Sequence, residues 1–185
     1  INVQGATQKE TPTFNTTATN SNGEKIAITP SAEYPAKLVD PATGLTTDAP
    51  SVTVKGEGTY TINPSTGEVT FTPEPDFVGT AKGVDVTLSA PVGRNKNGKV
   101  QEEYIKTATA KDTPTVTPIA ITPTDKVSED IQNVPQTQTP TFELSNDKTA
   151  EITSKKLVDP ATGQPTDETT VTVEGEGTYT IDPTT

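Results

Sequence analysis

The chain has 185 residues, and 25 acidic against 14 basic side chains leave a formal net charge of −11. It contains no Cys, His, Met or Trp. That excludes disulfides, thiolate metal sites, cysteine nucleophiles, internal thioesters and any Ser-His-Asp triad. The scattered Lys and Arg give no basic patch for nucleic acid or for an anionic membrane surface. No apolar run approaches the ~20 residues of a membrane span, and no signal peptide is visible.

Val, Ile, Leu and Phe make up just under about a fifth of the chain, close to the composition of disordered proteins. Two features argue for folding instead. Thr is about another fifth, and Thr, Val and Ile favour strands. The apolar residues also alternate along the chain instead of scattering.

In chain order, the first motif is TPTF, Thr11 to Phe14. The Thr-, Asn- and Ser-rich stretch from Asn15 to Pro35 follows and reads as a long surface loop. Lys37 to Asp40 then runs into Asp40-Pro41-Ala42-Thr43-Gly44, a turn in which Asp caps, Pro fixes φ and Gly takes positive φ. Val52 and Val54 alternate in a short strand, and the Gly56-Glu57-Gly58 step after them marks a bulge or bend with its Glu solvated. Tyr60 and Ile62 alternate with Thr59 and Thr61, and Val69 and Phe71 with Thr70 and Thr72. Between them Asn63-Pro64-Ser65-Thr66-Gly67 has the chemistry of a type I turn closed by a left-handed Gly, so the segment predicts a hairpin. Val84, Val86 and Leu88 give the next strand, Asn95 to Gly98 a turn, and Val100 to Ala110 another strand. Seven or so short strands, 17 prolines and no helical periodicity predict an all-β, antiparallel β-sandwich-like domain with almost no helix.

The sequence then repeats. KLVDPATG, Lys37 to Gly44, returns unchanged as Lys156 to Gly163, 119 positions on. At the same offset VTVKGEGTYTI, Val52 to Ile62, returns as Val171 to Ile181 with only Lys55 changed, to Glu174. TPTF returns at Thr139 to Phe142, an offset of 128, so the first copy carries nine extra residues between Phe14 and Lys37. A period this long suits a string of domains rather than a solenoid. The expected division is a complete repeat over 1–118, a Pro-rich junction over 119–138, and a partial second repeat over 139–185. The pattern begins and ends part-way through, so the chain reads as a piece of something longer. The second copy has no counterpart of Gly67 to Ala110 and cannot fold by the plan of the first. It is expected to be partly ordered and paired through a strand edge; disorder, or a core shared between the copies, are the other outcomes.

The residues carrying special chemistry are turn formers: Asp40, Pro41, Gly44, Asn63, Pro64 and Gly67 in the first copy, and Asp159, Pro160 and Gly163 in the second. No catalytic, cofactor-binding or metal residue is assigned. Asp40, Asp48, Asp159 and Asp167 recur, but their spacing does not match a Ca²⁺ loop and suits turn caps better. Lys37 and Lys156 could each form an isopeptide crosslink, yet no Asn recurs at a matching place, which favours ordinary strand lysines. Glu57 and Glu176, as paired carboxylates of a glycosidase, are weaker candidates than solvated bulge residues. A carbohydrate-binding β-sandwich is the alternative function. It needs exposed aromatics; Tyr60 and Tyr179 fall on apolar strand faces, which leaves Tyr34 and Tyr104.

The run GEGTYTINPSTGEVTFTPEPDFVGTA, Gly56 to Ala81, with TPTVTP at Thr113 to Pro118, resembles the CshA-type fibril repeats and related streptococcal surface repeats of Gram-positive adhesins. TPTF and KLVDPATG belong to the same pattern, so the resemblance spans nearly the whole chain. It implies a non-enzymatic cell-adhesion and virulence module on the bacterial surface, anchored to the cell wall through other parts of the protein. It implies further a stalk or fibril of many repeats in contact with neighbouring repeats. The implied host partners are matrix and plasma proteins, fibronectin and plasminogen, bound through multivalency.

Overall fold

The computed structural model describes residues 1–185. It divides into two compact units, Ile1–Ile119 and Ala120–Thr185.

Unit 1 is all β. Its strands are β1 (Asn2–Val3), β2 (Gln8–Glu10), β3 (Phe14–Thr19), β4 (Lys25–Ile28), β5 (Lys37–Asp40), β6 (Leu45–Thr46), β7 (Ser51–Val54), β8 (Gly58–Ile62), β9 (Val69–Pro73), β10 (Gly79–Thr80), β11 (Val84–Pro91), β12 (Ile105–Asp112) and β13 (Thr115–Thr117). One 3₁₀ turn, Glu102–Tyr104, is its sole helical element. The last long strand therefore starts at Ile105, five residues later than the pattern from Val100 suggested.

Two four-stranded sheets form the body, ordered β2-β9-β8-β7 and β12-β11-β5-β6. All pairs within them are antiparallel. Side chains alternate across each strand, so Tyr60 and Ile62, Val69 and Phe71, and Val84, Val86 and Leu88 all point inward and are buried. Tyr60 and Phe71 stand opposite each other with ring centroids 4.7 Å apart, and Phe77 meets Phe71 edge-on at 6.2 Å. The outward faces carry threonine and serine pairs such as Thr53–Thr59 at 3.0 Å and Ser89–Thr107 at 2.6 Å. A third, small sheet has the order β1-β13-β10.

The stretch expected as a surface loop, 15–35, is largely ordered. β3 and β4 form a hairpin, with Phe14, Thr16 and Ile28 buried and β3 lying against β12. The Thr16 hydroxyl donates to the Ile26 carbonyl at 2.8 Å, which lets a polar residue take an inward position. Composition concealed the alternation of Phe14 and Thr16, because threonine serves either face.

Unit 2 contains β14 (Ile121–Thr124), β15 (Thr141–Leu144), β16 (Val158–Asp159), β17 (Gln164–Pro165), β18 (Thr170–Val173) and β19 (Gly177–Thr180). These pair as three two-stranded antiparallel ladders, β14 with β15, β16 with β17 and β18 with β19. β14 falls within the segment read as a junction. No residue of unit 2 is buried.

Candidate functional site

The turn residues lie at the tips of hairpins. The Gly44 amide donates to the Asp40 carbonyl at 2.7 Å, and the Ala42 amide donates to the Asp40 carboxylate at 2.9 Å. Pro41 occupies the first central position of that turn, and Gly44 closes it at φ 70°. Asp159, Pro160 and Gly163 repeat the geometry, with 2.7 Å from the Gly163 amide to the Asp159 carbonyl and 2.9 Å from the Ala161 amide to the Asp159 carboxylate. In the β8–β9 hairpin the Gly67 amide donates to the Asn63 carbonyl at 2.8 Å, and the Ser65 amide to the Asn63 side chain at 3.1 Å. Gly67 has φ 76° and is buried beneath Pro30 and Phe14; the Pro64 carbonyl accepts from the Ala36 amide at 2.9 Å.

Asp48 and Asp167 have a different task from Asp40 and Asp159. Lys37 pairs with Asp48 at 2.6 Å and Lys156 with Asp167 at 2.6 Å. In each case the hydrogen bond and charge of the lysine hold the carboxyl below its ordinary range. These pairs are exposed to solvent, which screens them, so they add little to stability. No cluster of three or more acidic side chains converges as a metal cage would require.

Glu57 corrects the expectation of a solvated bulge residue. It is 7% exposed, and its carboxylate accepts from the Lys82 amide at 3.1 Å while its carbonyl accepts from the Glu74 amide at 2.8 Å. The Gly-Glu-Gly step turns the side chain under the sheet end, toward Tyr60 and Asp112. Glu57 Oε2 and the Tyr60 hydroxyl are both buried at this sheet end. Burial pushes the Tyr60 phenol well above its ordinary range, and the Glu57 and Asp112 carboxylates add to the effect. Burial also raises Asp112, with the Glu10 carboxylate contributing. In unit 2 the matching Glu176 is exposed and accepts from the Tyr179 hydroxyl at 3.2 Å. Tyr179 is exposed too, against the expectation of an inward strand position. Tyr34 and Tyr104 are half-buried.

A further feature was not legible in the sequence. β1 and β13, the first and last strands of unit 1, lie side by side and parallel, with Asn2 opposite Val116 and Val3 opposite Thr117. The Gln4 amide donates to the Thr117 carbonyl at 2.7 Å, and the Thr117 hydroxyl donates to the Asn2 carbonyl at 3.3 Å. The Gln8 side chain ties the Thr115 carbonyl at 3.0 Å. The first and last strands of unit 1 are thus clasped in one ladder.

The model of the surface adhesin CshA repetitive domain matches residues 1–116 and again 118–185, and the chain belongs to this family of surface adhesin repeats. No curated protein and no solved structure matches the chain.

Proposed function

We propose that the chain is a load-bearing, non-enzymatic stalk module of a cell-wall-anchored adhesin. We propose also that its repeats bind host matrix or plasma proteins, fibronectin and plasminogen, weakly and in number. The observation that carries the stalk reading is the parallel β1–β13 ladder. In a string of repeats, tension pulls β1 toward its N-terminal end and β13 toward its C-terminal end. Because the strands are parallel, those pulls slide the ladder along its length and load its hydrogen bonds together. A ladder pulled from one end would lose them one at a time.

Multivalent binding is supported by the surface. It has few aromatics and a strong negative charge, so no single anchoring hot spot stands out. Linked weak sites raise effective affinity without new contacts.

Two experiments test the two halves. In single-molecule pulling, unit 1 held through Ile1 and Ile119 should open at a higher force than unit 1 held through Ile1 and Pro114, which peels the same ladder from one end. Equal forces would remove the clamp. Arrays of one, two and four repeats should bind immobilised fibronectin or plasminogen with steeply rising strength. Equal binding by one and four would sink multivalency, and no binding to either protein would leave the module a spacer.

A further inference from the structure

The chain has nine asparagines, and two of them precede glycine, Asn22-Gly23 and Asn97-Gly98. The backbone nitrogen that follows an asparagine can attack its side-chain amide carbon, and a glycine presents no side chain to block the approach. The other seven are followed by Val, Thr, Ser, Pro, Lys or Asp, and Asn63, followed by Pro64, faces no N–H at all. The two Asn-Gly steps sit at hairpin tips of the same build. Asn20 Oδ1 accepts from the Asn22 and Glu24 amides at 2.9 and 3.0 Å, and Asn95 Oδ1 from the Asn97 and Lys99 amides at 3.0 and 2.9 Å. In each tip the glycine amide donates to the carbonyl of the first Asn, Gly23 to Asn20 at 3.0 Å and Gly98 to Asn95 at 2.9 Å. Asn22, Gly23, Asn97 and Gly98 are all exposed, and neither glycine has anything within 4 Å of its Cβ position.

The two tips differ in what surrounds the attacking nitrogen. The run RNKNGK, Arg94 to Lys99, carries three cations and no anion. The Arg94 guanidinium donates to the Gly98 carbonyl at 3.1 Å, which fixes a positive charge on the residue whose nitrogen must lose its proton. At the other tip Glu24 follows Gly23, and its carboxylate accepts from the Asn20 side chain at 2.9 Å. A cation beside the peptide favours the deprotonated nitrogen, and an anion opposes it. The tips also differ in support. Asn97 lies in the segment 92–104 between β11 and β12, where every residue from Gly93 to Lys99 except the half-buried Asn95 is exposed. Asn22 is held between Thr19 and Lys25, which pair directly across β3 and β4. The less supported tip opens at lower cost and frees its glycine amide more often.

We infer that Asn97 is a self-modification site, converting to aspartate and isoaspartate ahead of Asn22 and of every other asparagine in the chain. When the turn opens, the deprotonated Gly98 nitrogen attacks Asn97 Cγ. A C–N bond forms between them, the bond from Cγ to Nδ2 breaks, and ammonia leaves, its third proton balancing the one lost from the Gly98 amide. The succinimide left behind is opened by water at either carbonyl, giving aspartate or isoaspartate. Either product adds one negative charge to the formal −11 and lowers the positive charge of the loop. Isoaspartate also routes the backbone through the side chain and lengthens it between Asn95 and Lys99. The tip then cannot keep the bonds from both the Gly98 and the Lys99 amides to Asn95. Val84, Val86 and Leu88, the core residues of β11, lie outside this loop, so unit 1 stays folded.

The intact chain, incubated at about pH 8 where the deprotonated amide is more populated, tests this by peptide mapping. Cleavage at glutamate separates Asn97 from Asn22, and fragment ions place the gain of about 1 Da per conversion on Asn97 or on Asn95. Labelling by isoaspartyl methyltransferase reads the isoaspartate share. Asn97 should convert at least about threefold faster than Asn22, the effect of one unit charge at short range in water, and both should outrun the remaining asparagines. Arg94→Gln should slow Asn97 by about threefold and leave Asn22 unchanged, and added salt should narrow the gap between the two sites. Asn97→Gln should remove the gain from that peptide while the melting temperature stays that of the wild type. Equal rates at Asn97 and Asn22, or an earlier gain at any other asparagine, would overturn the inference. So would an Arg94→Gln chain that converts Asn97 as fast as the wild type, or no gain at Asn97 over a time that modifies a free peptide of residues 93–101.

Discussion

Replacing Gly58 by Ala tests how closely β9 is clamped to β8. The added Cβ would sit 2.3 Å from the Thr72 carbonyl oxygen and 2.8 Å from both Pro73 Cα and Phe71 Cε2. To reach ordinary contact the strands must part by about 1 Å at that end. The bond from the Glu74 amide to the Glu57 carbonyl, 2.8 Å, and that from the Gly56 amide to the Glu74 carboxylate, 2.9 Å, both cross this junction. Their loss costs about 1 kcal/mol each. Holding a non-glycine residue at this φ adds about 1–3 kcal/mol, and displacing the buried Phe71 ring about as much again. The expected destabilisation is about 4 kcal/mol or more, a large part of the ~5–15 kcal/mol of an ordinary domain. Urea unfolding followed by the near-UV signal of the buried Tyr60 measures it. Gly177→Ala, read by hydrogen exchange in unit 2, should show the conformational part alone. A Gly58→Ala protein within about 1 kcal/mol of the wild type would refute the close-approach argument.

Other outcomes follow from single residues. Gly67→Val should destabilise unit 1 by more than ~1 kcal/mol, from the positive φ and from crowding Phe14 and Pro30; an unchanged melting temperature would contradict the turn. Asp112 has a folded pKa raised by burial, so the folded state holds its proton more tightly than the unfolded chain does. Its contribution to stability is neutral below the ordinary carboxylate pKa and turns unfavourable as pH rises through the folded value. Asp112→Asn should therefore raise the melting temperature at pH 7 and leave it little changed near pH 3; the reverse order would show that the carboxylate is stabilised, not strained. Lys37→Ala should leave the melting temperature almost unchanged at any salt concentration, because its partner Asp48 is exposed and screened; a large drop in thermal melts would mean that the lysine carries something more than this pair.

The sequence by itself determined whatever depends on neighbours along the chain. The β8–β9 hairpin followed from the alternation of Tyr60, Ile62, Val69 and Phe71 around an Asn-Pro-Ser-Thr-Gly turn, since strand period and turn chemistry are local properties. The identical KLVDPATG segments place Asp40 and Asp159, and Gly44 and Gly163, at equivalent positions, because turn chemistry is carried by the residues themselves. What the tertiary structure decided was which strand lies beside which. The β1–β13 ladder joins residues more than a hundred positions apart, and the pairing of β2 with β9 likewise has no local signature. Glu57 is another such case: its flanking glycines suggested a bend, but only the approach of β9 and Lys82 shows that the bend turns the carboxylate inward. Identical sequence makes the same point most directly. GEGTYTI buries its tyrosine in unit 1, where β9 pairs beside it, and exposes it in unit 2, because burial belongs to the surrounding strands and not to the segment itself.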